Sequence, residues 1–143
     1  MGLLLDTVVA SELRRARMPG QNPAFAAWAE RVDLSDAWLS VVTVHEMERG
    51  VLLVQRRDPR QALVYRQWLD DLVEAFGRRI LPVTLQAARL AAAYHVPDPA
   101  PLADALIAGT ACEHDLTVAT RNTADFARFG VRLVNPWEGR NWE

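Results

Sequence analysis

Four acidic side chains stand where an α/β protein could open a ligand site. Asp6 directly follows the apolar run Leu3–Leu5, which predicts a buried strand, and Glu46 lies one turn into the helix expected after a second strand. Asp104 falls in the first turn of an otherwise apolar helix, and Asp125 follows a later strand. An ionised acid among apolar residues is costly unless it is paired, hydrogen-bonded or bound to a metal. If the four converge, their repulsion calls for arginines or a multivalent cation.

The type of ligand follows from the donor atoms. An all-carboxylate set suits magnesium or manganese, whereas zinc or copper usually draws on histidine or cysteine. His45, His95 and His114 show no paired metal-ligand spacing, and Cys112 is isolated in an apolar helix, where we interpret it as a core residue. A magnesium cluster with open water positions can activate a water and neutralise phosphate charge, so the chemistry indicated is phosphodiester hydrolysis.

Each acid also has a structural role that requires no ligand. Asp6 could cap the helix that follows it, and Asp125 could cap a short helix just after it. Thr43 and Glu46 have the spacing of a capping box, and Asp104 would gain from the dipole at a helix start. These roles do not explain why all four acids lie where an α/β sheet opens its ligand crevice.

Composition narrows the function classes. The chain has 143 residues and a net charge of −2, which suits one globular domain, and every one of its sixteen cations is an arginine. The absence of lysine excludes a P-loop, a pyridoxal-type Schiff base and a lysine general base. No apolar stretch is long enough to span a membrane and no export signal is evident, so we expect a cytoplasmic protein.

Strands alternate with helices along the chain. Apolar and β-branched runs predict strands at 3–5, 37–42, 79–83, 116–120 and 131–134. Helical spacing predicts helices at about 8–16, from Pro23 onward, and at 43–57, 59–76, 85–94 and 102–114. This alternation predicts a parallel sheet covered on both faces, with ligands beyond the carboxyl ends of its strands.

Over nearly its whole length the chain resembles the PIN-domain ribonucleases, in particular the VapC-type toxins of bacterial type II toxin–antitoxin pairs. The matching segments are Leu3–Thr7, Leu39–Gly50, Leu102–Ala108, Val118–Phe126, Gly130–Val131 and Asn135–Trp137. The resemblance implies a single PIN domain over residues 1–143, folded as a three-layer α/β/α sandwich with a central, mainly parallel sheet.

The resemblance also implies site residues. Asp6, Glu46, Asp104 and Asp125 would be catalytic, binding Mg²⁺ or Mn²⁺ and a water that attacks RNA. Supporting groups would be Thr7, Ser40, Thr43, Thr120 and Asn122. Some relatives have an aspartate at the position of Asn122, so the fourth acid can come from either place; here only Asp125 is acidic. Arginines that would hold the RNA backbone, or else form solvated surface, are Arg14, Arg15, Arg49 and Arg121.

Partners are implied in the same way. A cognate VapB-type antitoxin would lay its C-terminal segment in a groove over the acidic site, commonly with an arginine that competes with metal. DNA would be reached only through the antitoxin, and a homodimer is expected. Tryptophans that could line these interfaces, or else pack in the core, are Trp28, Trp38, Trp68, Trp137 and Trp142.

Two other functions compete. A phosphotransfer module would need a lysine, or an aspartate two residues after the first, where Val8 stands. A catalytically weak or inactive PIN protein would act mainly as antitoxin partner in a DNA-binding repressor complex; Val8 favours this alternative, because the family commonly has asparagine there. Metal-dependent cleavage by the isolated protein separates this inactive alternative from an active ribonuclease.

Overall fold

A five-stranded parallel sheet forms the centre of the computed structural model, which describes residues 2–139. Its strands are β1 (Leu3–Leu5), β2 (Ala37–Ser40), β3 (Ile80–Leu81), β4 (Thr117–Ala119) and β5 (Leu133–Val134). They lie in the order β3-β2-β1-β4-β5, and every pairing is parallel. The strand that carries Asp6 at its end is therefore the central one.

Seven α-helices flank the sheet within the described range. They are α1 (Thr7–Glu12), α2 (Pro23–Arg31), α3 (Val41–Arg57), α4 (Pro59–Phe76), α5 (Leu85–Ala93), α6 (Leu102–Glu113) and α7 (Thr123–Ala127). Short 3₁₀ segments occupy Leu13–Arg15, Leu34–Asp36 and Gly77–Arg79. The bounds of α4 and its stop at Gly77, where φ is +52°, agree with the sequence prediction.

Two apolar cores lie on opposite faces of the sheet. Successive residues of a strand point to opposite sides: Leu5 packs in a cluster with Phe25 and Trp28 of α2, whereas Leu4 packs in a second cluster with Ile107 of α6. The predicted three-layer α/β/α arrangement around a parallel sheet is thereby confirmed.

Helix α3 begins two residues before the predicted position. The Ser40 hydroxyl accepts a hydrogen bond from the Val42 amide at 3.0 Å and caps the helix, whose first residue is Val41. Thr43 and Glu46 thus lie at the third and sixth helical positions, so the predicted capping box is wrong. The β-branched pair at 41–42 fits a strand equally well by local preference, and the serine cap decides the boundary.

Other differences are local. Helix α7 begins at Thr123, before Asp125 and not after it as expected, and β3 and β5 are shorter than predicted. Cys112 is exposed and is not a core residue, because the buried side chains of α6 lie between Ala105 and Ala111, and Cys112 lies past them. None of the helices in residues 2–139 is long and apolar enough to cross a membrane.

The tryptophans have different surroundings. Trp28 is fully buried in the cluster that contains Leu5, and the partly buried Trp68 and Trp137 pack against that cluster. Trp38 is also partly buried and packs against the second cluster, which contains Leu4. Trp142 lies outside the described residues. Core packing accounts for Trp28 entirely, and the three others retain surface that a partner could cover.

Candidate active site

Asp6 lies at the carboxyl end of the central strand, where β1 turns into α1. It is 5% exposed. Its backbone N–H donates to the Ala119 carbonyl at 3.0 Å, and its Oδ1 accepts from the Val9 amide at 2.9 Å, which confirms the expected helix cap. A carboxylate accepts several hydrogen bonds, so capping leaves Asp6 with free acceptor capacity.

Glu46 is held by two threonines. The Thr7 hydroxyl donates to Glu46 Oε1 and lies 3.2 Å from the hydroxyl oxygen of Thr43, which is fully buried. Since a hydroxyl has one proton and that of Thr7 is used on Glu46, Thr43 is the donor to Thr7. This chain of contacts orients the Glu46 carboxylate from below and ties α1 to α3.

The electrostatics of Asp104 link it to the other three acids. Its pKa is raised by burial and then by the charges of Asp6, Glu46 and Asp125. Burial also raises the pKa of Asp6, as does the charge of Glu46, while hydrogen bonds from Thr120 and from backbone amides oppose the rise. The charges of the other three acids therefore act on Asp104.

Among the described arginines, none pairs directly with the acids of this pocket. Within residues 2–139, none of the four carboxylates forms an ion pair. The same range contains no group of three or more histidine, cysteine, aspartate or glutamate side chains placed to hold a metal ion as they stand. The acids are thus close enough to repel one another but do not form a closed ligand cage.

The segment after β4 carries the remaining polar groups. Thr120 is buried, and its hydroxyl accepts from the Asn122 amide at 3.0 Å. Asn122 and Asp125 are exposed, and Asn122 precedes α7 without a side-chain cap bond. Asp125 lies in the first turn of α7, so its expected capping role is wrong: the turn at Thr120–Asn122 starts the helix before Asp125 is reached.

Ser40 has a different role from that of the other supporting residues. It is buried, and its hydroxyl accepts from the Val42 amide at the start of α3. Ser40 therefore fixes the beginning of the helix that carries Glu46 and Thr43.

Two of the four candidate arginines lie against aromatic rings. The guanidinium of Arg14 is 4.5 Å from the ring centre of Tyr65, and that of Arg121 is 5.1 Å from the ring centre of Trp137. Arg49 is exposed, and Arg15 is 4.0 Å from Glu12. These stacking partners could not be predicted from the sequence, since Arg14 and Tyr65 are 51 positions apart.

A groove of about 260 Å³ opens beside the acids. Thr7 and Glu46 line its acidic end, Arg14 and Tyr65 also border it, and most of its lining is apolar. Apolar side chains of α3 and α4 that line it are Met47, Val51, Val54, Trp68 and Leu69. The groove thus joins an apolar surface to the acidic pocket.

Comparison with known proteins gives consistent matches. The PIN domain family model matches residues 3–131. Toxin FitB of Neisseria gonorrhoeae is 37% identical over 141 residues, covering 94% of this chain and 98% of that protein. VapC ribonuclease Y4jK of Sinorhizobium fredii is 33% identical over 141 residues, with 95% and 98% covered. The solved structure of FitAB bound to an IR36 DNA fragment superposes with a TM-score of 0.86 at 33% identity, covering 99% of both chains.

Proposed function

The chain belongs to the PIN-domain family and is homologous to the VapC/FitB toxins of VapBC-type toxin–antitoxin systems, and on that premise we propose that it is a Mg²⁺- or Mn²⁺-dependent endoribonuclease acting as the toxin of such a pair. One observation carries the proposal: the charges of Asp6, Glu46 and Asp125 add to burial in raising the pKa of Asp104, at the carboxyl edge of the sheet. We propose further that residues 1–143 form a single PIN domain.

The residues fit a hard divalent cation. All four donors are carboxylates, the pKa values of Asp6 and Asp104 are raised, and no ion pair within residues 2–139 offsets their charge. Asp6, Glu46, Asp104 and Asp125 would hold the ion. When bound, the ion would lower the pKa of a water and neutralise charge on the phosphate.

The other groups of the pocket would orient these carboxylates. Thr7 and Thr43 hold Glu46, while Thr120 and the Val9 amide hold Asp6. Such supporting hydrogen bonds fix the rotamers of ligating side chains and are costly to remove. Arginines that would contact RNA phosphates are Arg14, Arg15, Arg49 and Arg121.

The proposed partner is a VapB-type antitoxin. One relative of known structure is the FitAB complex on DNA, which supports an antitoxin partner for this chain and contact with DNA only through that partner. The groove beside Glu46 suits a partner segment with apolar side chains and one arginine, because its lining is apolar and its end is acidic. We also propose that the protein forms a homodimer. We propose that it binds its antitoxin and its RNA substrate in the cytoplasm.

The second candidate is an inactive PIN protein that serves only as antitoxin partner in a repressor complex. Val8, where the family commonly has asparagine, is the observation that favours it. Val8 is 41% exposed, and its backbone still hydrogen-bonds Asp6. The substitution therefore removes an amide side chain without disturbing the backbone support of Asp6.

Cleavage of total RNA by the purified, antitoxin-free protein tests the proposal. The reaction is run with Mg²⁺, with Mn²⁺ and with excess chelator. The variant Asp104→Asn is measured beside the control Asp71→Asn, which changes an exposed residue of α4. We expect metal-dependent cleavage by wild type and Asp71→Asn and none by Asp104→Asn. Equal cleavage by both variants would overturn the assignment of the pocket, and a folded, metal-binding wild type without cleavage in vitro or in cells favours the second candidate.

A further inference from the structure

Arg128 connects α7 to the turn that leads into α6. It directly follows α7, and its Nη1 donates to the Pro99 carbonyl at 3.1 Å. Its Nη2 donates to the carbonyls of Tyr94, at 3.1 Å, and Asp98. One guanidinium thus engages three carbonyls of the segment between α5 and α6 through two separate nitrogens. The planar fork of arginine provides this spread of donors, and the compact ammonium of lysine, with its donors on one nitrogen, does not reproduce it.

The segment held by Arg128 is closed at its other end. His95 Nδ1 accepts from the Ala100 amide at 3.1 Å, two residues before α6 begins at Leu102. The Tyr94 ring packs on Phe129, with ring centres 4.8 Å apart. Residues 94–100 therefore form a compact turn, and its position sets where α6 starts.

Arg128 and Pro99, which form the two ends of this hydrogen-bonded connection, both lie close in sequence to a candidate acid or to the helix that carries one. Asp125 is three residues before Arg128 along α7, and Pro99 is three residues before the first residue of α6, which carries Asp104 in its first turn. Because a residue in a helix moves with its neighbours, a displacement of either end would displace the corresponding carboxylate.

Neither helix start has a side-chain cap of its own. Pro101 at the start of α6 and Asn122 at the start of α7 make no side-chain cap hydrogen bond. Both helices also carry like charges that repel: Asp104 is affected by the charge of Asp125. Ile107 of α6 and Phe126 of α7 pack in one apolar cluster, and the Arg128 contacts add a polar restraint at the ends of the two helices that this packing does not provide.

We propose that Arg128 is a positioning residue that fixes the separation of Asp104 and Asp125 by tying α7 to the turn 94–99. The effect on metal binding rests on the function proposed above; the effect on the backbone does not. The tie limits how far the starts of the two helices can move relative to each other, and so limits the range of separations open to Asp104 and Asp125.

The test uses Arg128→Gln and Arg128→Lys in the full chain. The matched control is Arg132→Gln. Arg132 is also an exposed arginine that donates to a backbone carbonyl, that of Asp115 at 2.9 Å. Asp115 precedes β4, whereas the candidate acids lie at the end where β4 finishes. Hydrogen exchange of the metal-free proteins is measured over residues 102–106 and 123–127, together with Mn²⁺ binding by electron paramagnetic resonance and urea unfolding.

We expect Arg128→Gln to speed exchange in both segments and to weaken Mn²⁺ binding about tenfold, the lower range for loss of a group that orients ligands. Arg128→Lys keeps the charge but loses the fork, so it should resemble Arg128→Gln. Arg132→Gln should change unfolding alone. If Arg128→Lys behaves as wild type, or if Arg128→Gln matches the control in both segments, the tie is not the restraint. If wild type binds no Mn²⁺, the metal pocket fails and the exchange data alone decide the role of Arg128.

Discussion

The Thr7 hydroxyl donates a hydrogen bond to the carboxylate of Glu46, which lies 39 positions later on a different helix. The contact exists because β1 and β2 are neighbours in the sheet, so the helices that follow them start side by side. It uses the one proton of Thr7 and leaves Thr43 as donor to the Thr7 oxygen. The orientation of Glu46 therefore depends on a hydroxyl at position 7.

Replacing Thr7 by valine removes this hydrogen bond with little change of shape. We expect metal affinity and RNA cleavage to fall about tenfold or more, because Glu46 loses the group that orients it. Thr7→Ser retains the hydroxyl and should restore most of both. Mn²⁺ titration and cleavage rates measure the effect; equal loss in both variants would show that the methyl group, not the hydroxyl, matters.

Asp6 and Asp104 should each make the metal-free protein less stable as the pH rises. Burial and neighbouring charges raise the pKa values of Asp6 and Asp104 in the folded chain above the ordinary value of 3.8. Between that value and the raised ones, the unfolded chain binds fewer protons than the folded chain, so the free energy of unfolding falls with rising pH and stays lower above the window.

Asp104→Asn removes one of the repelling charges. We expect the metal-free variant to melt several degrees above wild type at neutral pH and to lose this advantage near pH 3, where the carboxyls are protonated in both states. Saturating Mn²⁺ should stabilise wild type by about 2.7 kcal/mol at a hundred times its Kd and leave the variant unchanged. Calorimetry with and without metal at both pH values measures this; a variant less stable than wild type at neutral pH would contradict the repulsion.

Gly109 allows α5 and α6 to approach closely. A Cβ at this position would lie 2.5 Å from the Ala87 carbonyl oxygen, a backbone atom that cannot move aside alone. Gly109→Ala should lower the free energy of unfolding by about 1–3 kcal/mol, despite the better helix propensity of alanine.

Gly50 provides the matched substitution. It lies within α3, and a Cβ there would meet nothing within 4 Å. Gly50→Ala should raise stability by about 0.5–1 kcal/mol. Urea unfolding of both variants separates steric overlap from propensity, and destabilisation by both would point to a general intolerance of alanine in these helices.

Arg121 lies exposed against Trp137 beside the Thr120 end of β4. If it holds the RNA backbone, Arg121→Gln should weaken binding to RNAs of different sequence alike and reduce the salt dependence by about one phosphate contact. RNA is titrated into proteins that also carry Asp104→Asn, which should prevent cleavage. The control is Arg89→Gln, which changes an exposed residue of α5. Equal affinities for all three proteins would leave Arg121 as ordinary surface.

The candidate site was predicted from acids placed beside apolar segments. Asp6 was selected because it follows an apolar strand at the carboxyl edge of a parallel sheet, and Asp104 because it is an acid in the first turn of an apolar helix. The Thr7–Glu46 contact was not predicted, since it depends on which strands are neighbours. The same holds for Arg128, whose three acceptors are backbone carbonyls that no side-chain pattern marks.

The boundary of α3 shows a second limit. Local preference places Val41 and Val42 in a strand as readily as in a helix, and only the Ser40 cap decides between them. Two residues of error turned Thr43 and Glu46 into a capping box and concealed that both side chains point away from the helix end toward Thr7.

The central position of β1 also has a consequence for synthesis on the ribosome. Its neighbours, β2 and β4, are separated from it by about 30 and more than 110 residues, so the emerging chain has β1 paired on one side only until β4 has left the exit tunnel. The acids span positions 6 to 125, which means that an interrupted translation product lacks part of the pocket. The four acids can therefore come together only after α7 has been synthesised, more than 110 residues after Asp6.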